Sequence, residues 1–195
     1  MEPRLNKDKL LAELAAWDQF LGRKVHFIAC GGTAMTLMDV KESTRDIDFI
    51  VPVIEEYDYV IKKLKDLGYQ QVRGWGWQRS GDDFIFDLFR GKRVHTTDLL
   101  DDPLVEGRHT LIKEFSYIYL GVLNDYDLII SKLFRGSAVD FQDTVQLAKA
   151  HRADLDLGKL KDHFFDMLSY HPVGEQRVRA HWDTFARRLK EVSDG

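Results

Sequence analysis

The chain has 195 residues, of which 44% are hydrophobic and 31% charged, and its net charge is −4. That balance suits one domain, or one domain with a helical extension, and argues against a protein that coats nucleic acid with a basic surface. The single cysteine, Cys30, excludes an internal disulfide, and no apolar run approaches membrane-spanning length.

The opening MEPRLNKDKL has no apolar signal core, so a cytoplasmic protein is expected. Lys7–Leu21 reads as an amphipathic helix: Leu10, Leu14, Trp17 and Leu21 recur at helical spacing, Asn6 is a plausible N-cap and Gly22 a stop. Val25–Cys30 reads as a buried strand. Gly31-Gly32 forms a turn, and Thr33–Met38 is one or two turns of helix. A polar loop, Asp39–Arg45, leads to a second strand, Asp46–Val51, stopped by Pro52.

Tyr57–Leu67 is a second amphipathic helix, with Gly68 placed to end it. Tyr69–Arg73 reads as a weak strand. Trp75 and Trp77, between glycines and beside Arg73 and Arg79, read as a hairpin turn whose indoles cover the core; the competing reading is a base-stacking platform. Phe84–Phe89 is a strand with Asp87 as its only charge, Val94–Asp102 and Pro103–Lys113 are short strands and loop, and Phe115–Leu120 is a further strand. After Asn124 the pattern turns helical, with segments at Asp125–Phe134, Asp140–Ala150, Leu157–Ser169 and about Gly174–Val192. A division at residues 1–122 and 123–195 is therefore expected, a mixed sheet with helices first and a helical region packed on it second.

The chemistry collects around Ile28–Pro52. Glycines at Gly31 and Gly32 let a ligand approach the backbone, and the following helix presents free N–H groups suited to phosphate, with the Thr33 hydroxyl beside them. A bare glycine pair is more often an ordinary strand-to-helix turn. Along a strand Asp46 and Asp48 share a face, and two like charges repel unless a cation lies between them; for oxygen-only ligands Mg²⁺ is the natural candidate. Asp87 interrupts an apolar strand, where an unpaired carboxylate is costly. If that strand lies beside Asp46–Val51, all three acids meet and form a two-metal site for phosphoryl or nucleotidyl transfer. The seven histidines are scattered without metal-ligand spacing.

The order Gly-Gly, short helix, Thr44-Arg45-Asp46-Ile47-Asp48 and a later lone Asp87 resembles the nucleotidyltransferase superfamily, which includes DNA polymerase β, the CCA-adding enzymes and the aminoglycoside nucleotidyltransferases. The Asp127–Leu133 segment (DLIISKL) followed by Asp140 and Asp143 is similar to a prokaryotic branch related to the toxins of type IV toxin–antitoxin and abortive-infection systems. The resemblance implies an α+β nucleotidyltransferase fold with a mixed, mainly antiparallel sheet, flanking helices and a C-terminal helical region. It implies that Asp46, Asp48 and Asp87 are the catalytic acids and hold two Mg²⁺ ions. Gly31, Gly32, Thr33 and Lys132 would bind the nucleoside triphosphate. The acceptor of the NMP would be a hydroxyl on RNA, a protein or a small molecule, and a cognate antitoxin is an expected partner. The branch carries basic residues before the Asp-x-x-Asp element where this chain has Ser137, Ala138 and Val139. That departure supports the alternative of a catalytically impaired protein that binds nucleotide or a protein partner.

Overall fold

Two adjacent buried strands carry the first part of the chain: β1 (Val25–Ala29) and β2 (Ile47–Val51), paired antiparallel with Ile28 opposite Ile50 and Ala29 opposite Phe49. Both are almost wholly buried, as their near-continuous apolar sequence requires. In this computed structural model, which describes residues 4–171 and 174–193, the chain divides into two units, Met1–Leu123 and Asn124–Gly195.

In the first unit, α1 (Lys7–Asp18) precedes β1 and α2 (Gly31–Leu37) separates β1 from β2. After β2 come α3 (Ile54–Asp66), β3 (Tyr69–Arg73), β4 (Gly76–Arg79) and β5 (Phe86–Arg90). A small hairpin, β6 (Arg93–Val94) with β7 (Thr97–Asp98), stands apart, and β8 (His109–Glu114) and β9 (Ile118–Leu123) complete the unit. The main sheet runs β3-β4-β5-β2-β1-β9-β8. The β2–β5 and β1–β9 pairs are parallel and the other four antiparallel, so the sheet is mixed and mainly antiparallel.

Local chemistry explains where several elements start and stop. Asn6 caps α1 by accepting from the Lys9 N–H. The helix ends at Asp18, earlier than the leucine spacing predicts, because the buried Asp18 carboxylate accepts from the backbone N–H groups of Ser116, Tyr117 and Ile118. Those donors belong to the turn before β9 and to its first residue, so Phe115–Tyr117, expected in a strand, form the bend that Asp18 holds. Trp17 stacks on Phe86 with ring centroids 4.2 Å apart and meets Phe27 and Tyr69 edge-on, joining α1 to the sheet. Gly74 and Trp75 form the β3–β4 turn, and Trp77 is buried on β4, in agreement with the hairpin reading.

The second unit consists of α4 (Asp125–Arg135), α5 (Ala138–Ala150), α6 (Leu157–Ser169) and α7 (Glu175–Ser193). Side-chain caps at Asn124, Ser137 and Asp156 begin the first three. Gly136, at φ +70, ends α4 in the left-handed conformation. A Cβ there would fall 2.1 Å from the ring of His181, whose Nδ1 pairs with the Leu133 carbonyl.

Candidate active site

Parallel pairing of β2 with β5 places Asp48 directly opposite Asp87. Register partners of a parallel pair project to one face of the sheet, with strands about 4.8 Å apart. Both carboxylates are largely buried, at 7% exposure each. Asp46 precedes β2 rather than starting it, and its side chain is 44% exposed. It is nevertheless linked to Asp87. Arg73 Nη2 donates to Asp46 Oδ1 at 2.9 Å and to Asp87 Oδ2 at 2.8 Å. Asp46 and Asp87 are thus bridged by the guanidinium of Arg73, and Asp48 stands opposite Asp87 on the neighbouring strand.

Arg73 closes the last pair of the β3–β4 hairpin, opposite Gly76, just after a register irregularity between Gln71 and Arg73. Such a bulge re-aims the side chain that follows it. Gly76 pairs in turn with Asp87. A Cβ at Gly76 would lie 2.8 Å from Arg73 Cγ and 2.9 Å from Asp87 Oδ1, so the missing side chain leaves the corridor through which Arg73 reaches the acids. Burial disfavours the charged guanidinium, but the hydrogen bonds and charges of Asp87 and Asp46 outweigh it, and the Arg73 pKa is held above its ordinary value.

The glycine pair is as constrained as the acids. Gly31 has φ +57, and a Cβ there would fall 2.5 Å from Asp48 Oδ2. At Gly32 it would fall 2.7 Å from Thr44 Oγ1. The close approach that these glycines permit is thus to the chain's own Asp48 and Thr44. Thr33 is fully buried; its hydroxyl donates to the Asp46 carbonyl and accepts from the Asp48 N–H at 2.9 Å. Thr44 also donates to the Asp46 carbonyl. These hydroxyls bind the backbone on either side of Ile47 and so set the positions of Asp46 and Asp48. The side chain of Cys30, which precedes α2, is buried, and it makes no hydrogen bond that caps the helix.

Lys132, the remaining sequence-derived candidate, belongs to the second unit. It is 2% exposed, and its ammonium lies 2.7 Å from Asp143 and 3.8 Å from Asp140. Arg135 pairs with Asp140, which also accepts from the Ser137 N–H and hydroxyl. Burial alone would raise the Asp140 pKa, but Arg135, Ser137 and Lys132 outweigh it and hold the carboxyl below its ordinary range. The Lys-Leu and Asp-x-x-Asp elements are therefore two halves of one buried ion-pair network joining α4 to α5. His151 pairs with Asp125 and His163 with Asp127 in the same unit.

Hard carboxylate oxygens are the donor type that Mg²⁺ takes, so the chemistry of Asp46, Asp48 and Asp87 fits that ion. As the side chains stand, no group of three His, Cys, Asp or Glu residues among the described residues is placed to hold a metal. Arg73 lies between Asp46 and Asp87. No helix among the described residues is long and apolar enough to cross a membrane.

The fold is that of a nucleotidyltransferase, as one solved structure shows. The chain is similar to the solution structure of the antibiotic-resistance factor ANT(2″)-Ia, with 14% identity, 89% of this chain and 95% of the other covered, and a TM-score of 0.56. A crystal structure of ANT(2″)-Ia in complex with adenylyl-2″-tobramycin gives 15% identity, 93% and 95% coverage and a TM-score of 0.41. A candidate nucleotidyltransferase from Thermotoga maritima gives 14% identity, 77% and 91% coverage and a TM-score of 0.43. Residues 9–190 match the family described as nucleotidyltransferase of unknown function (DUF6036), and the chain belongs to that family. No curated protein matches it.

Proposed function

We propose that the protein is a Mg²⁺-dependent nucleotidyltransferase that moves an NMP from an NTP to a hydroxyl of RNA, a protein or a small molecule, releasing pyrophosphate. The observations that support this reading are the placement of Asp48 and Asp87 as β2–β5 register partners and the guanidinium of Arg73 that Asp46 shares with Asp87. The DUF6036 family, a nucleotidyltransferase family, adds support.

Asp46 and Asp48 would hold two Mg²⁺ ions and Asp87 would join one of them. Bound there, Mg²⁺ neutralises phosphate charge and lowers the pKa of the acceptor hydroxyl. Thr33 and Thr44 keep β2 in place, so the carboxylates are oriented before substrate arrives. Gly31 and Gly32 keep the first turn of α2 tight against Asp48 and Thr44, where the triphosphate would lie. Catalysis of this kind is mainly positioning and charge stabilisation.

Labelled NTPs incubated with Mg²⁺ and candidate acceptors test the reading. Transfer is expected, and the double substitution Asp46→Asn with Asp48→Asn should lower it by about a hundredfold or more. Transfer that survives the double substitution would overturn the assignment.

The second reading, a protein that binds nucleotide or a partner without turnover, is favoured by Arg73, which already bridges two of the acids. Calorimetry with ATP, with and without Mg²⁺, separates the two: tight binding with no product supports the second. A toxin-like role under a cognate antitoxin would be a biological use of the first reading. Growth arrest on induction that disappears in the Asp46→Asn, Asp48→Asn protein would support it.

A further inference from the structure

Resting on the reading of the acids as a divalent-metal site, we infer that Arg73 is the site's resident counterion: it bridges Asp46 and Asp87 in the metal-free protein, offsetting one of their two charges, and must leave them when a divalent cation binds.

The first argument is geometric. One nitrogen, Nη2, serves Asp46 Oδ1 and Asp87 Oδ2 at once. A divalent ion ligated by the same two oxygens would occupy the same space, and the two cations would repel at close range. Metal and guanidinium are therefore competitors for one position.

The second argument concerns how Arg73 arrives. It is no stray surface arginine. A strand irregularity precedes it, and Gly76 leaves its stem room against Asp87. A side chain at Gly76 would obstruct both partners.

The third argument is that Arg73 is free to move. Its side chain is 49% exposed, and it sits at the end of edge strand β3, where Gln70, Gln71 and Val72 are also exposed. Asp87, in contrast, is nearly buried, with 10% of its side chain exposed. Displacement moves the exposed partner into solvent and leaves the buried one in place. The same exposure lets the released guanidinium meet an incoming anion, and its planar fork matches phosphate oxygens in pairs.

The counterion role explains how Asp46 and Asp87 stand close together without metal. It also predicts that metal affinity is weaker than the carboxylates alone would give.

The test measures Mn²⁺ binding without nucleotide, by calorimetry and by the electron paramagnetic resonance of free Mn²⁺. Arg73→Gln is expected to bind Mn²⁺ about tenfold more tightly than the wild type, the order of effect of removing one close like charge in a half-exposed site. Equal or weaker binding by Arg73→Gln overturns the inference and leaves the metal site standing. Absence of Mn²⁺ binding in both proteins overturns the metal reading together with this inference. A second measurement needs no folded variant: the guanidinium NMR resonance of Arg73 in the wild type should shift as Mg²⁺ is added. A resonance that stays fixed while Mg²⁺ binds refutes displacement.

Discussion

Replacing Gly31 by Ala strikes the site where backbone conformation and acid placement meet. Two costs are readable from the structure. Gly31 has φ +57, which costs an L residue about 1–2 kcal/mol. The new Cβ would also fall 2.5 Å from Asp48 Oδ2 and 3.1 Å from its carboxyl carbon. Asp48 is buried and its backbone N–H is tied to Thr33, so it has little room to retreat, and overpacking of this kind costs about 1–3 kcal/mol. A loss of about 3 kcal/mol follows, or roughly 10 °C in the melting temperature of a unit of this size. Urea titration of the wild type and Gly31→Ala measures it. The two contributions separate in a double-mutant cycle with Asp48→Ala, which removes the clashing carboxyl but not the backbone strain. The cycle should show a favourable coupling of about 1–3 kcal/mol, leaving a residue of about 1 kcal/mol from φ. A Gly31→Ala protein within about 0.5 kcal/mol of wild type, or a cycle with no coupling, would refute the claim that this glycine exists to accommodate Asp48.

The buried network of the second unit yields two further expectations. Lys132→Met removes the cation facing Asp143 and Asp140 and should destabilise the protein by about 3–5 kcal/mol in urea titration. Unchanged stability with lost ATP affinity would instead return Lys132 to a phosphate-binding role. Asp140 has a pKa lowered in the folded state, so its contribution is complete above the ordinary carboxylate value near ~3.9 and is lost as pH falls through the folded value. Acid titration followed by circular dichroism should therefore show less loss of stability on acidification in Asp140→Asn than in the wild type; identical acid limbs would count against this.

Much of the architecture was legible because burial imposes it on residue order. The mostly apolar runs Val25–Ala29 and Ile47–Val51 read as interior strands, and the leucine and tyrosine spacing of α1 and α3 reads as helical. Asn6, Gly31 and Asp87 each carried local meaning, as a cap, a turn and a charge misplaced in an apolar strand. Element ends were less legible, because distant partners set them. Asp18 stops α1 by accepting from Ser116, Tyr117 and Ile118, about a hundred positions away.

The site divides in the same way. The sequence alone determined that three acids and a glycine pair required an explanation, since a carboxylate in a buried strand has an energetic cost wherever it lies. Only the tertiary structure decided how that cost is met. Register pairing set Asp48 against Asp87, and a bulged edge strand brought Arg73 onto Asp46 and Asp87. The same holds for Gly31 and Gly32, where sequence showed a tight turn and folding showed what it is tight against: Asp48 and Thr44. Lys132 likewise stood, by the resemblance, as a triphosphate-binding candidate and is a buried ion-pair partner of Asp143. Chemistry local to a residue is written in its neighbours along the chain. The identity of its counterion depends on which strand or helix the fold lays beside it, and no spacing along the chain records that.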